Sequence, residues 1–95
     1  ENILLANEVY DDLLYKKGKL LLSMGYFQEA KQSFLVLQNA AGEGMWKEEG
    51  YFYFAKAAFE LDPDSSKEPL MEYLISYPNG FYTEQARTMY RTFAS

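Results

Sequence analysis

Tyr51-Phe52-Tyr53-Phe54-Ala55-Lys56-Ala57-Ala58-Phe59-Glu60-Leu61 is the stretch on which the fold turns. Its first four residues, an unbroken aromatic run, would suit a buried strand. The next four continue it with strong helix formers, and no turn signal intervenes. The whole stretch therefore reads as helix. On that helix Glu49, Lys56 and Glu60 fall in one narrow polar stripe, and nearly everything else from Met45 to Leu61 is apolar. A helix that is apolar around most of its circumference is packed on several sides. This segment is expected at the centre of the domain.

Outward from it, Gly and Pro punctuate the chain. Breaks are expected at Gly25, at Gly42 and Gly44, at Asp62-Pro63-Asp64-Ser65, and at Pro78-Asn79-Gly80. The segments between them have spacing near 3.6. The first runs to about Met24, with Leu13, Leu14, Leu20 and Leu21 among its apolar residues. The second runs from Phe27 to Ala40. The fourth starts near Ser65 or Ser66, where Ser65 and Glu68 suit a capping box, and Pro78 ends it. The fifth covers about Tyr82 to Ala94. Five helices joined by short loops predict an all-α antiparallel array.

Composition narrows the chemistry. The chain has 95 residues, 48% hydrophobic and 18% aromatic, with a net charge of −5. That length suits one domain, and the aromatic load is too high for disorder. There is no Cys and no His. Thiolate zinc sites, cysteine nucleophiles, serine triads and zincin-type centres are thereby excluded. Composition favours a domain that binds over one that reacts, and no cofactor or metal is implied. Arg87 and Arg91 are the only arginines, a poor match for a phosphate backbone. No apolar run approaches the roughly 18 residues of a membrane span. The chain begins at Glu1 without a visible signal segment, so a mature product or a piece of a longer protein is expected.

The helices repeat. At an offset of 37, Leu14 falls on Tyr51, Gly18 on Ala55 and Leu21 on Ala58. Asp12 falls on Glu49, Tyr15 on Phe52, Lys19 on Lys56 and Leu22 on Phe59. Lys17 falls on Phe54, where a buried residue is wanted. At an offset of 36, Phe34 falls on Leu70, Leu37 on Tyr73, Ala30 on Ser66 and Gly42 on Pro78.

With these residues the chain resembles the tetratricopeptide repeat (TPR) family, whose unit is two antiparallel helices in about 34 residues. Leu14, Gly18, Leu21, Gly25, Phe27, Ala30 and Phe34 match in the first repeat. Tyr51, Phe54, Ala55, Ala58, Leu70 and Pro78 match in the second. Departures are Lys17, Gly42, Asp62, Ser66 and Pro69. The resemblance implies an α-α superhelix: a first repeat at about 11–44, a second at about 45–80, and a capping helix at about 81–95. Close packing is expected where Gly18 or Ala55 lies against Ala30 or Ser66, with Phe34 or Leu70 filling the seam. Tyr77-Pro78-Asn79-Gly80-Phe81-Tyr82 is similar to a turn of bacterial envelope TPR proteins, of the outer-membrane assembly and Tol–Pal associated kind. That likeness inclines the expected location toward the periplasm, although a chain without Cys fits the cytoplasm equally.

The resemblance also implies a concave face built from first helices, holding a peptide or a partner helix. Its residues here are Asp12, Tyr15, Lys19 and Leu22, then Glu49, Phe52, Lys56 and Phe59. The expected function is a non-catalytic protein-interaction scaffold. Two alternatives stand beside it. The charged positions also read simply as a solvated face, and the chain as a segment of a longer solenoid or a homo-oligomerisation domain. Clustered Lys and Arg that would capture a C-terminal carboxylate are missing. Adjacent pairs such as Glu48-Glu49 point about 100° apart on a helix and make no acid–base dyad. Trp46 reads as a packing anchor.

Overall fold

The computed structural model describes residues 2–39 and 46–93, with side chains from Tyr10 onward. The expected turn at Gly42 and Gly44, and the expected helix limits at Ala40, Met45 and Ala94, lie outside the described residues. The fold is all-α. Among the described residues five helices run in order: α1 Asn2–Ser23, α2 Phe27–Gln38, α3 Lys47–Leu61, α4 Lys67–Ser76 and α5 Thr83–Tyr90. Short 3₁₀ turns cover Pro63–Ser66 and Arg91–Phe93.

The breaks have local causes. Gly25 adopts φ +84°, a left-handed conformation that glycine enters without a Cβ penalty. The Tyr26 N–H then donates to the Leu21 carbonyl at 2.9 Å and the Gly25 N–H to that of Leu22 at 3.1 Å. These are the two bonds that close a helix end around a left-handed residue. Pro69 is the third residue of α4, inside the first turn, where its missing N–H costs nothing. The capping box expected from Ser65 and Glu68 does not form. The Ser65 and Ser66 hydroxyls donate instead to the carbonyls of Asp62 and Pro63, both at 2.7 Å. The Pro63-led 3₁₀ turn brings those carbonyls within reach first.

α3 lies at the centre, touching α1, α2 and α4. Phe52, Ala55, Ala57 and Ala58 on it are buried. One core cluster joins α1, α2 and α3 around Ala30, Phe34, Leu37 and Ala57. Another joins α3, α4 and α5 around Phe52, Ala55, Leu70, Tyr73 and Ala86. Full burial of side chains such as Phe34, Phe52 and Leu70 contributes about 1.5–3 kcal/mol each.

The two helical hairpins make equivalent contacts. In α1/α2, Gly18 meets the Phe34 ring so closely that an added Cβ would lie 2.6 Å from its tip. In α3/α4, Ala55 and Leu70 share a core cluster. Gly18 with Phe34 and Ala55 with Leu70 thus hold corresponding places in the two hairpins, at the sequence offsets of 37 and 36. Lys17 is exposed where its counterpart Phe54 is half-buried.

Candidate functional site

α1 and α3 present neighbouring faces to solvent. α1 contributes Tyr15, Lys19, Leu22 and Ser23. Tyr15 and Leu22 are half-buried against the core cluster of α1, α2 and α3, and Lys19 and Ser23 are exposed beside them. α3 contributes Glu49, Tyr53, Lys56 and Glu60 at spacings of four, three and four, which is one helical face. Between the helices lies an open depression of about 450 Å³. Leu22, Phe27 and Tyr53 supply apolar wall, and Lys19, Lys56, Ser23 and Glu60 supply polar rim.

Aromatic rings fix the geometry. The Lys19 ammonium sits 4.7 Å from the centre of the Tyr53 ring and 5.4 Å from that of Tyr15. Each such contact contributes about 0.5–1 kcal/mol at an exposed site. Partial burial lowers the Lys19 pKa, but its contacts with Tyr53 and Tyr15 outweigh that, and the net shift is upward. Lys19 therefore stays cationic. Tyr15 stacks on Trp46 at 4.3 Å with the planes 6° apart, which makes Trp46 the anchor of this face at the start of α3. The Trp46 indole Nε1 is buried without a hydrogen-bond partner among the described residues.

Tyr82 links the face to α5. Its ring stands edge-on to Tyr53 at 5.4 Å, and its hydroxyl lies 3.5 Å from the Glu49 carboxylate. Burial, then the neighbouring Tyr53, pushes the Tyr82 phenol well above its ordinary value. Partial burial also raises Glu49, with the Glu48 charge adding to it, against lowering by Tyr82 and Lys19.

The chain matches no known protein family, no curated protein and no solved structure. What the face does is therefore read from its own residues.

Of the residues expected on the groove, Lys19, Leu22 and Lys56 line the depression together. Tyr15 braces Lys19 from beside it. Glu49 lies further along α3 against Tyr82. Asp12 pairs with Lys16 at 3.0 Å on the flank of α1, and half-buried Phe59 does not line the depression. Phe52 is a correction: it is a fully buried core residue. Its ring lies flat under Tyr82 at 4.6 Å and edge-on to Tyr73 at 5.7 Å. The turn leading into α5 folds over α3 at that point and covers the ring.

Tyr53 takes the place Phe52 was given. Its signal was present in the polar stripe, because Tyr53 lies four residues after Glu49 and three before Lys56. Glu48 was missed as well. One of its carboxylate oxygens accepts from the Tyr73 hydroxyl at 2.7 Å and from the Phe81 N–H at 2.8 Å. The Tyr73 oxygen in turn accepts from the Tyr82 N–H at 3.0 Å. Glu48 thus latches the Pro78–Tyr82 turn to α3 and sets Tyr82 over Phe52. Gly80 makes room for the latch, since a Cβ there would collide with that carboxylate and lie 2.7 Å from the Tyr73 oxygen.

Proposed function

We propose that this chain is a non-catalytic, TPR-like protein-interaction module. It captures a peptide or a partner helix on the face shared by α1 and α3. The observation that carries this reading is the depression of about 450 Å³ with apolar walls between Lys19 and Lys56. A ligand's apolar side chain enters against Leu22, Phe27 and Tyr53, and the two ammonium groups orient the segment that carries it. A few well-placed polar groups around an apolar concavity are the usual make-up of a ligand site. Aromatic side chains held by neighbouring rings add contact area at little entropic cost.

A phage-displayed library of random peptides, selected on the intact chain, tests the proposal. Enriched peptides are expected to bind the chain and to lose at least tenfold in affinity to a Lys19→Glu, Lys56→Glu variant whose helicity is unchanged. Selection without enrichment, or peptides that bind the variant equally well, would overturn the assignment of this face.

A further inference from the structure

The turn that joins α4 to α5 holds a phenylalanine in solvent. Phe81 is 89% exposed, yet the backbone beneath it is fixed. Its N–H donates to Glu48 Oε2 at 2.8 Å, and the N–H of Tyr82 donates to the Tyr73 oxygen at 3.0 Å. On the other side the Gly80 N–H donates to the Thr83 hydroxyl oxygen, and that hydroxyl donates to the Tyr77 carbonyl, both at 2.7 Å. A single exposed apolar side chain is ordinary on a protein surface. One carried by a turn tied down in this way is presented in a set position, so a ligand that packs on it orders little backbone.

Beside the ring lies an open depression of about 430 Å³, lined by Glu48, Tyr77, Pro78, Asn79, Gly80 and Phe81. It shares no residue with the depression between Lys19 and Lys56. Two aromatic side chains and a proline supply apolar wall, and Glu48 brings a carboxylate. That carboxylate is only half used. A carboxylate offers about four lone-pair sites over its two oxygens. The Tyr73 hydroxyl and the Phe81 N–H both donate to Oε2. Oε1 accepts no hydrogen bond among the described residues and is not buried. Nor has Glu48 an ion-pair partner among the described residues.

These walls select their ligand by charge. An anionic group would meet like charge from Glu48, and a neutral apolar one would leave the carboxylate uncompensated. A cation with a flat, weakly hydrated face satisfies both the carboxylate and the rings. A guanidinium has that form and stacks on aromatic faces, whereas an ammonium is compact and strongly hydrated. We infer that this depression binds an arginine side chain of a partner peptide, its guanidinium stacked on Phe81 and donating to Glu48 Oε1. The two bonds to Oε2 hold the carboxylate still, so the latch that positions the turn also orients the acceptor. The chain's net charge of −5 draws a basic peptide toward it. This inference does not rest on the reading of the α1 and α3 face, because the two depressions are separate.

Titration of the intact chain, followed by amide NMR, tests it. The probes are a blocked pentapeptide with arginine between glycines, and its citrulline and lysine counterparts. Citrulline keeps the shape of arginine and lacks its charge. The arginine peptide is expected to shift the Asn79, Gly80 and Phe81 amides and to saturate at about 1–10 mM. The citrulline peptide should bind about tenfold more weakly, and the lysine peptide about threefold more weakly. Phe81→Ala keeps the backbone N–H that binds Glu48, and should weaken the arginine peptide about threefold. Glu48→Gln should weaken it about tenfold, and Lys56→Ala should bind as the unaltered chain does. No shift in the turn up to about 10 mM overturns the inference. So does equal binding of the citrulline peptide, equal binding by Phe81→Ala, or loss of binding in Lys56→Ala. A lysine peptide that binds as tightly overturns the choice of guanidinium.

Discussion

Gly50→Ala tests how closely α3 is seated on α2. In an exposed helix interior, glycine to alanine normally stabilises by about 1 kcal/mol. Here the new Cβ would lie 2.6 Å from the Gln38 backbone nitrogen and 3.0 Å from two atoms of Leu37. Carbon contacts settle at about 3.5–4.0 Å, so the helices must separate by up to about 1 Å. The nearest obstacle is backbone and cannot rotate aside. Overpacking of this kind costs about 1–3 kcal/mol, occasionally more. Set against the propensity gain, a cost at the upper end leaves a net loss of about 1–2 kcal/mol. At about 4–8 °C per kcal/mol for a domain of this size, Tm should fall by roughly 4–16 °C. Gly18→Ala provides the contrast, since its Cβ would meet only the tip of the Phe34 ring, at 2.6–2.9 Å. A ring can tilt, so the net effect there should stay below about 1 kcal/mol. Urea unfolding followed by far-ultraviolet circular dichroism measures both. A Gly50→Ala variant as stable as the parent, or a Gly18→Ala variant that loses more, would refute the close-approach argument.

Two further outcomes follow from the Glu48 latch and the buried phenols. Glu48→Ala leaves the buried Tyr73 hydroxyl and the Phe81 N–H without their acceptor, and should lose about 2 kcal/mol. Faster amide exchange at Phe81 should accompany that loss, with Glu48→Gln intermediate; unaltered exchange in both variants would contradict the latch. Burial, then the bond to Glu48, pushes the Tyr73 phenol from 10.0 up to about 12. The folded chain therefore holds that proton more tightly than the unfolded one. The associated stability is complete below pH 10.0 and declines as pH rises toward about 12. Tyr82 shifts in the same direction. Urea midpoints measured across that window should fall, and phenolate absorbance should lag that of an unfolded control; a flat profile would count against both tyrosines being held neutral.

Much of this fold is legible in the sequence. The breaks at Gly25, Pro63 and Pro78 depend on local backbone chemistry, which one residue and its neighbours largely determine. A close approach of the paired helices at Gly18 was legible in the repeat, but the side chain that Gly18 meets is the Phe34 ring rather than Ala30, because the buried ring reaches across the seam. Lys19, Leu22 and Lys56 were expected on one face from the family resemblance, and all three line the depression. The capping box at Ser65 was misread, since nearby carbonyls competed for the hydroxyls once the 3₁₀ turn had formed.

Among the described residues the sequence by itself determined the helices, their breaks at Gly25, Pro63 and Pro78, and the central place of α3. It did not determine which ring of the Tyr51–Phe54 run would be covered. Adjacent helix residues point about 100° apart, and both Phe52 and Tyr53 are aromatic, so periodicity could not choose between buried and open. The choice was made by Glu48, which binds the Phe81 N–H from 33 residues away and folds the next turn over Phe52. That contact arises only once α3, α4 and α5 are packed. Through it the tertiary structure sends Phe52 into the core and leaves Tyr53 beneath Lys19 on the open face.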